Sequence, residues 1–455
     1  MIVMKFGGTS VESATAIDRL ISIVEARLSR KPVVVVSAMG KTTNGLLAAA
    51  DSAVAGDREA ALKRIADLET YTLTEGRVES DSDLEMKLTG LFQEIRELLR
   101  GLTVLGELTP RSIDAVSAFG ERISSLVVAE AFNRRGIPAV HVDSRDVIIT
   151  DTRHSQAAPL YNETYPRVRE KVAPLAATKV VVMGGFIAST EAGITSTLGR
   201  GGSDFSASII GAGLNAEEIQ IWTDVDGMLT ADPRVHAGGH RVRTISFSEA
   251  AELAYFGAKV LHPSTVVPAM ETNIPVLILN SRKPHVEGTR IVAKTPASAN
   301  PIKSIACKRG ITVVNIKSTR MLGAHGFLRR IFEVFDQCQT PVDMVTTSEV
   351  SVSLTIDNTA ALEKISGHLR EFSDVAIEED QALIALVGDN VAATPGVASR
   401  VFRALNGVNV RMISQGASQL NLSLVIAGRD LETAVAGLHG EFFAELDPAV
   451  FERAS

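Results

Sequence analysis

The first 293 residues alternate between short apolar runs and stretches with helical periodicity. Residues 32–38 and 180–188 are rich in valine, which is typical of strands buried on both faces of a sheet. Residues 218–223 and 275–280 are further predicted strands. Between strands, apolar residues recur at helical spacing, and the first such stripe consists of Ile17, Leu20, Ile21, Val24 and Leu28. The pattern predicts an α/β fold, in which a mostly parallel sheet is sandwiched by helices.

Residues 44–108 are predicted to be mainly helical, and a further long helix begins at Thr109-Pro110. Threonine is a favourable N-cap, and proline fits the first helical position because its missing N–H would be unpaired there in any case. This helix carries Glu121, next to Gly120.

The last third of the chain contains an internal repeat. The segment GFLRRIF at residues 326–332 matches GVASRVF at 396–402, and each copy opens a predicted helix that is followed by two strands. This order predicts two βαββαβ units, with a generic α+β domain as the alternative. We expect a first domain over residues 1–293, a linker at 294–300, a first repeat at 311–379 and a second repeat made of 301–310 and 380–455.

Composition narrows the class of protein. The chain has 455 residues, 45% hydrophobic and 22% charged, as in an ordinary globular protein. Its net charge of −7 argues against a nucleic-acid partner. No uncharged apolar run approaches the roughly 18 residues that span a bilayer, so we expect a cytoplasmic protein without a membrane partner. Cys307 and Cys338 lack metal-ligand spacing and are predicted to be reduced thiols.

A glycine turn follows the first predicted strand, in the segment Lys5-Phe6-Gly7-Gly8-Thr9-Ser10. Adjacent glycines let backbone N–H groups approach an anion, Lys5 adds a positive charge, and the following helix is expected to direct its positive end at the same point. The turn therefore predicts a phosphate site. A tight strand-to-helix turn without a ligand is the alternative.

Two more polar turns follow predicted strands. LGRGGSD carries Arg200 and Asp204 at the start of a helix, and WTDVDG at residues 222–227 is followed by ADPR at 231–234. Ligands of open α/β sheets bind outside the carboxyl ends of the strands. Three such turns together predict one ligand site at that edge.

Seven segments in order resemble the aspartokinases of the amino acid kinase superfamily: KFGGTSV, SAMGKTTN, SAFGER, LGRGGSD, IWTDVDG, TADPR and FGAKVLHP. The repeats resemble the paired ACT domains of that family. The resemblance implies transfer of the γ-phosphoryl group of MgATP to the side-chain carboxylate of L-aspartate, the first step of lysine, threonine and methionine biosynthesis. An acceptor carboxylate is already ionised at neutral pH, so such a site needs cations and backbone donors more than a general base.

By this resemblance, Lys5, Gly7 and Gly8 hold the transferred phosphoryl group, and Asp204 organises Mg²⁺ or Lys5. Magnesium is expected to bind mainly through water and phosphate oxygens, so no protein metal centre is predicted. On the substrate side, Arg200 is expected to bind a carboxylate of L-aspartate and Glu121 its ammonium, with a solvated helix-face acid as the alternative for Glu121. The remaining substrate positions implied by the family are Ser37, Thr43, Phe186 and Ser203.

The resemblance places the nucleotide near a second group of residues. The turn between Trp222 and Arg234 contains a tyrosine in some relatives, where the present chain has Leu229. No aromatic stack with adenine is therefore expected. The implied nucleotide-binding residues are Thr223, Asp224, Leu229, Arg234 and Lys259.

The first repeat resembles that of the lysine-sensitive aspartokinases. There Asp343 is expected to bind the ε-ammonium of L-lysine, and the backbone of Phe327 and Leu328 its α-carboxylate, although Asp343 could instead be an acid that protects a strand edge. The other implied regulatory positions are Met321, Gly326, Ser348 and Glu349. Paired ACT units also imply a homodimer or a dimer of dimers.

Two alternatives stay open. The chain could be another carboxylate or phosphate kinase of the superfamily, for which Glu121, Arg200 and the repeats are poor matches. It could also be a catalytically inactive amino-acid sensor, but the presence of Lys5 and Asp204 argues against that.

Overall fold

The computed structural model describes residues 1–257, 263–296, 298–318 and 325–453, without the side chains of residues 263 and 264. The chain forms two units. The N-terminal unit comprises Met1–Met228, Arg243–Phe247 and Val260–Thr295, and the C-terminal unit comprises Leu229–Val242, Ser248–Lys259 and Pro296–Ser455. The domain limits expected from the sequence stay a prediction.

The described strands are β1 (Ile2–Phe6), β2 (Pro32–Val36), β3 (Ala139–Val142), β4 (Ile149–Thr150), β5 (Val180–Gly184), β6 (Ile187–Thr190), β7 (Thr195–Thr197), β8 (Glu218–Thr223), β9 (Arg241–Val242), β10 (Thr244–Ser246), β11 (Val276–Asn280), β12 (Thr289–Val292), β13 (Ser304–Lys317), β14 (Met344–Thr347), β15 (Ser351–Ile356), β16 (Asp374–Val387), β17 (Val410–Gln415), β18 (Asn421–Ala427) and β19 (Phe451–Glu452).

The described α-helices are α1 (Ala14–Glu25), α2 (Thr42–Val54), α3 (Arg58–Glu75), α4 (Asp83–Leu105), α5 (Pro110–Ser117), α6 (Phe119–Arg134), α7 (Tyr161–Lys171), α8 (Ala173–Ala176), α9 (Gly202–Leu214), α10 (Phe247–Tyr255), α11 (Val267–Glu271), α12 (Phe327–Gln337), α13 (Leu362–Arg370), α14 (Val397–Ala404) and α15 (Leu431–Phe442). Among these, none is long and apolar enough to cross a membrane.

The N-terminal unit is built on a sheet with the strand order β10-β12-β11-β8-β1-β2-β5-β3. All its neighbouring pairs are parallel except β11 with β12. Every residue of β1 and β2 is buried, as their apolar composition predicts for strands covered on both faces. The predicted α/β fold is confirmed. The carboxyl ends of β1, β2, β5, β8 and β11 therefore meet at one edge of the sheet.

The run at residues 180–188 is two strands rather than the single strand predicted. β5 ends at Gly184, and β6 begins at Ile187 in a separate sheet of order β4-β6-β7. Between them Phe186 has a φ of 64°, a left-handed conformation that breaks an extended chain. Apolar composition alone could not reveal this turn.

The first helix also differs from its prediction. α1 ends at Glu25, so Leu28 does not continue its apolar stripe and is 39% exposed in a short 3₁₀ turn. At the other end, the N–H of Ala14 donates to Glu75 Oε2 (2.9 Å) and that of Ala16 to Ser13 Oγ (3.2 Å). Two of the first backbone donors of α1 are thus used within the chain, and the prediction that this helix end also serves an anion stays a prediction.

The helix predicted at Thr109-Pro110 begins there, with the Thr109 side chain accepting from the N–H of Ser112. It is interrupted at Ala118, so that Glu121 lies in the first turn of α6 rather than in the same helix. The backbone stays helical across the break, because the N–H of Ala118 still donates to Asp114 O.

The C-terminal unit contains a sheet with the order β14-β15-β13-β16-β18-β17. β13 and β16 have 14 residues each and run antiparallel along their length, with register shifts between Arg309 and Ile311 and between Ile311 and Val313. α12 and α14 begin directly after Gly326 (φ 80°) and Gly396 (φ 85°), the repeated glycines of the sequence. The predicted pair of βαββαβ units is confirmed, with the two long strands shared between the repeats.

Candidate active site

Lys5 and Asp204 form an ion pair at the carboxyl edge of the main sheet. Lys5 is buried on the central strand β1, and its Nζ lies 2.7 Å from Oδ1 of Asp204. Asp204 is in the first turn of α9, whose N-cap Gly201 (φ 71°) provides no side-chain cap. The positive end of α9 and the Lys5 ammonium are therefore close together, an arrangement suited to an anion.

The glycine turn after β1 brings the ends of neighbouring strands together. A Cβ at Gly8 would lie 3.1 Å from the carbonyl oxygens of both Ala38 and Gly40, so a larger residue would push the strand ends apart. The N–H of Gly7 donates to Trp222 O (3.1 Å) on the other side. That donor is already used, which leaves Gly8 and Thr9 as the backbone donors of this turn toward a ligand.

Glu121 is a buried carboxylate beside this turn. Its Oε1 accepts the N–H of Ala38 (3.1 Å), whereas Oε2 has no hydrogen-bond partner within the described residues. Burial raises the pKa of Glu121 to about 8, although the Ala38 hydrogen bond and the charge of Lys5 oppose the shift. A solvated helix-face acid is excluded by the 4% exposure of this residue. The free oxygen suits a cationic ligand group.

Glycines make the burial of Glu121 possible. A Cβ at Gly120 would lie 2.7 Å from that of Ala38 and 3.3 Å from Thr43 Oγ1, and one at Gly184 would lie 2.9 Å from Glu121 O. The N–H of Ser37 donates to Phe6 O (3.0 Å), which fixes the turn after β2 against that after β1. The predicted residues Ser37 and Thr43 thus flank Glu121.

Phe186 and Ser203 lie where the turn after β5 meets the start of α9. The N–H of Phe186 donates to Ser206 Oγ (2.9 Å), and a Cβ at Gly185 would lie 2.7 Å from that of Ser203. Left-handed conformations of aromatic residues are strained, and they persist mainly where surrounding contacts at a functional site impose them. The left-handed φ of Phe186 is compatible with the predicted substrate role, which stays a prediction.

Arg200 is exposed and forms no hydrogen bond or ion pair with the described residues. It lines a cavity of about 550 Å³ with side chains that include Tyr161, Phe205 and Thr265. The structure does not join it to Glu121 or Lys5, so its substrate role stays a prediction.

The residues predicted for the nucleotide are described only in part. Thr223 ends β8, and its Oγ1 lies 3.3 Å from Oδ1 of the exposed Asp224. Leu229 and Arg234 belong to the C-terminal unit, where Arg234 Nε donates to Asp232 Oδ1 (2.9 Å). Lys259 lies outside the described residues, and these roles stay predictions.

The sequence analysis missed polar residues that follow β11. The N–H of Ser281 donates to Thr223 O (2.8 Å), and its Oγ lies 2.8 Å from Ser10 Oγ, so it connects the first and third polar turns. Lys283 pairs with Asp226 (2.8 Å) at the same edge. The available signal was the polar segment SRK at residues 281–283, directly after a buried strand.

The predicted regulatory residues lie in the first repeat. Gly326 caps α12, where Phe327 is buried and Leu328 is 41% exposed. Asp343 directly precedes β14, and the exposed Ser348 and Glu349 follow it in the turn to β15. Met321 lies outside the described residues.

Comparison with known proteins places this architecture in a family. The amino acid kinase family model matches residues 1–280, and an ACT domain model matches 384–442. Chloroplastic aspartokinase 3 of Arabidopsis thaliana is 41% identical over 97% of this chain and 81% of its own length. The chain belongs to the aspartokinase family.

Solved structures of this family support the assignment. Escherichia coli aspartokinase III in complex with aspartate and ADP (R-state) matches with a TM-score of 0.85 at 34% identity, over 97% of this chain and all of that chain. The same protein in complex with lysine and aspartate (T-state) matches with a TM-score of 0.84 at 34% identity, over 97% of this chain and 99% of that one. The aspartokinase fold thus extends over both units of the chain.

Proposed function

We propose that this aspartokinase transfers the γ-phosphoryl group of ATP to the side-chain carboxylate of L-aspartate, forming 4-phospho-L-aspartate at the first step of lysine, threonine and methionine biosynthesis. One observation carries the proposal: a buried carboxylate with a free oxygen, Glu121, lies beside a cation and a helix N-terminus, Lys5 and α9. Such a site accepts a ligand that has both an ammonium and an anion. The E. coli relative crystallised with aspartate and ADP supports this choice of ligands.

The proposed roles of the site residues follow from the charges of their side chains and of the two substrates. The acceptor carboxylate needs no base, but it must approach a polyanionic triphosphate, so Lys5 and the amides of Gly8 and α9 offset the charge that develops during transfer. Glu121 binds the substrate ammonium through Oε2. Arg200, which is exposed at its cavity, is proposed to bind a carboxylate of L-aspartate through its planar guanidinium.

Magnesium fits this site as a partner of the nucleotide. In proteins Mg²⁺ is typically held mainly by phosphate oxygens and water, with one or two carboxylates. Asp204 is the residue proposed to orient it, either directly or through Lys5. When bound, the ion would neutralise phosphate charge during transfer.

We further propose that L-lysine inhibits the enzyme by binding at Asp343. A partly enclosed carboxylate selects an ammonium, which a threonine side chain lacks. The E. coli relative crystallised with lysine in its T-state supports this effector. Phe327 and Leu328, in the first turn of α12, offer backbone N–H groups for its α-carboxylate.

A homodimer, or a dimer of dimers, is the proposed assembly. Exposed apolar side chains recur at related positions of the two repeats: Phe332 with Phe402 on the helices, and Val345 with Ile413 on β14 and β17. Exposed apolar side chains that recur in both repeats are candidates for a protein interface. A second copy of the chain would bury these residues.

The proposed activity can be tested with an ATP-dependent hydroxamate assay, in which hydroxylamine traps an acyl phosphate. We expect product with L-aspartate, none with L-glutamate or N-acetylglutamate, and inhibition by L-lysine rather than L-threonine. Purified protein that forms no acyl phosphate from L-aspartate, MgATP and hydroxylamine would refute the proposal. Formation of acyl phosphate without inhibition by L-lysine would refute only the proposal that L-lysine is the effector.

A further inference from the structure

Asp343 already has a cationic partner within its own chain. Lys308 Nζ lies 3.3 Å from both carboxylate oxygens of Asp343 and 2.6 Å from Oδ2 of Asp357. The residue proposed to receive the ammonium of an effector is therefore in contact with an ammonium of its own chain.

Three elements bring these side chains together. Lys308 lies on β13 beyond the last residue pair that β13 forms with β15, Thr312 with Ile356. Asp357 directly follows β15, and the N–H of Asp343 donates to Thr355 O (2.9 Å). The three charges thus occupy one end of the β13–β15 pair, and the backbone pairing of the sheet fixes their positions.

The cluster is partly enclosed, which strengthens its electrostatics. The side chain of Asp343 is 11% exposed, compared with 25% for Lys308 and 38% for Asp357. Burial and the neighbouring Asp357 raise the pKa of Asp343, while the Lys308 charge opposes the shift. Burial lowers the pKa of Lys308, whereas its hydrogen bond to Asp357 and the charges of both carboxylates raise it. The second group of effects is larger, so the pKa of Lys308 lies above its ordinary value.

The two contacts of Lys308 are unequal. The 2.6 Å separation from Asp357 is that of a short charge-assisted hydrogen bond, whereas both separations from Asp343 are 3.3 Å. Lys308 can therefore release Asp343 and remain bound to Asp357. Asp343 is the carboxylate available for exchange.

We propose that Lys308 is the resident counter-ion of Asp343, and that an effector ammonium binds by replacing it while Lys308 stays on Asp357. The inference rests on the proposed lysine site and adds the residue that sets its affinity and selectivity. Competition with Lys308 weakens the binding of every ligand that presents an ammonium to Asp343. It does not affect a ligand of the same shape without that charge.

The experiment compares the wild-type full-length chain with Lys308→Met and Lys308→Arg. Inhibition curves and calorimetric titrations are measured with L-lysine and with L-norleucine, which lacks the terminal ammonium. We expect Lys308→Met to bind L-lysine about fivefold to tenfold more tightly, since a partly exposed competing charge is removed. Lys308→Arg should stay within about twofold of wild type, because it keeps the charge.

L-norleucine distinguishes charge competition from a general change in the site. Its binding should not become tighter in Lys308→Met, so a parallel gain for both ligands overturns the proposal. Unchanged or weaker L-lysine binding in that variant also overturns it. Lys308→Gln replaces Lys308→Met if the latter fails to fold by circular dichroism, with the same expected direction.

The outcomes separate this inference from the proposed function. If the wild type responds to L-lysine and Lys308→Met responds identically, the counter-ion role falls and the effector assignment stands. If only Lys308→Met responds, the counter-ion role stands and the wild-type effector assignment falls. If neither responds, both fall, while acyl-phosphate formation from L-aspartate still decides the catalytic function.

Discussion

The carboxyl group of Glu121 is mostly protonated at neutral pH in the folded chain, because burial raises its pKa to about 8 from an ordinary value of 4.5. The folded state therefore binds an additional proton between about pH 4.5 and 8. Over that range the free energy of unfolding should fall as pH rises, since ionisation of the buried group is unfavourable in the absence of a cation. A substrate ammonium bound beside Glu121 instead favours the ionised form of its carboxyl group.

Binding of L-aspartate at pH 7 should consequently release close to one proton per site. Calorimetry in two buffers with different ionisation enthalpies measures this directly, and the apparent affinity should increase with pH up to about 8. Glu121→Gln is the matched control: it should bind L-aspartate weakly, without proton release, and should not lose stability over the same pH range. Equal proton release in both proteins would contradict the assignment of Glu121.

Lys5 is expected to act mainly in the transition state. Lys5→Met should lower kcat by about a hundredfold to a thousandfold or more, because it removes a preorganised charge from the transferring group. Steady-state kinetics measure this effect, and Lys63→Met, at an exposed site on α3, should leave kcat unchanged. Retention of near-normal kcat by Lys5→Met would exclude the phosphate role. Thermal unfolding should show that both variants fold.

At the scale of elements, the sequence was most informative where composition and local caps decide the structure. β8 has the limits predicted for residues 218–223, and the Thr109 cap begins α5 as expected. The errors arise where tertiary contacts override periodicity. Leu28 continues the helical spacing of the sequence, but α1 ends before it, with Ala26 as the C-cap. Phe186 interrupts an apolar run because its backbone is left-handed.

The candidate site was predictable as a set of residue types at strand ends, but its pairings were not. Lys5 and Asp204 are about 200 positions apart, and no local pattern indicates that they meet. The same holds for Lys308, which has no motif of its own and gains significance only from Asp343 and Asp357 on other strands. Pairs of residues so far apart in the sequence could be identified only from the folded structure.

α10 offers a prediction about stability. Its Glu249 pairs with Lys303 at 2.9 Å, and both side chains are 1% exposed. Lys303→Met should lower the free energy of unfolding by about 3–5 kcal/mol, because it removes one partner of a buried ion pair. Urea denaturation measures the loss. The double variant Lys303→Met/Glu249→Gln should recover much of it, and a double variant as unstable as the single one would contradict this explanation.

At the scale of the whole molecule, self-association should depend on the exposed phenylalanines of the repeats. Phe332→Glu and Phe402→Glu each place a charge at the proposed interface, so at least one should reduce the mass measured by sedimentation velocity. Val104→Glu, at a position 87% exposed on α4, is the control and should not change the mass. If neither phenylalanine variant changes the mass, these residues lie outside the interface.

The two 14-residue strands β13 and β16 have a consequence for how the repeats can be separated. Since each strand contributes its two ends to different repeats, cutting the chain at Gly310 would leave both pieces without part of their sheet. We therefore expect that neither repeat folds when it is expressed without the other.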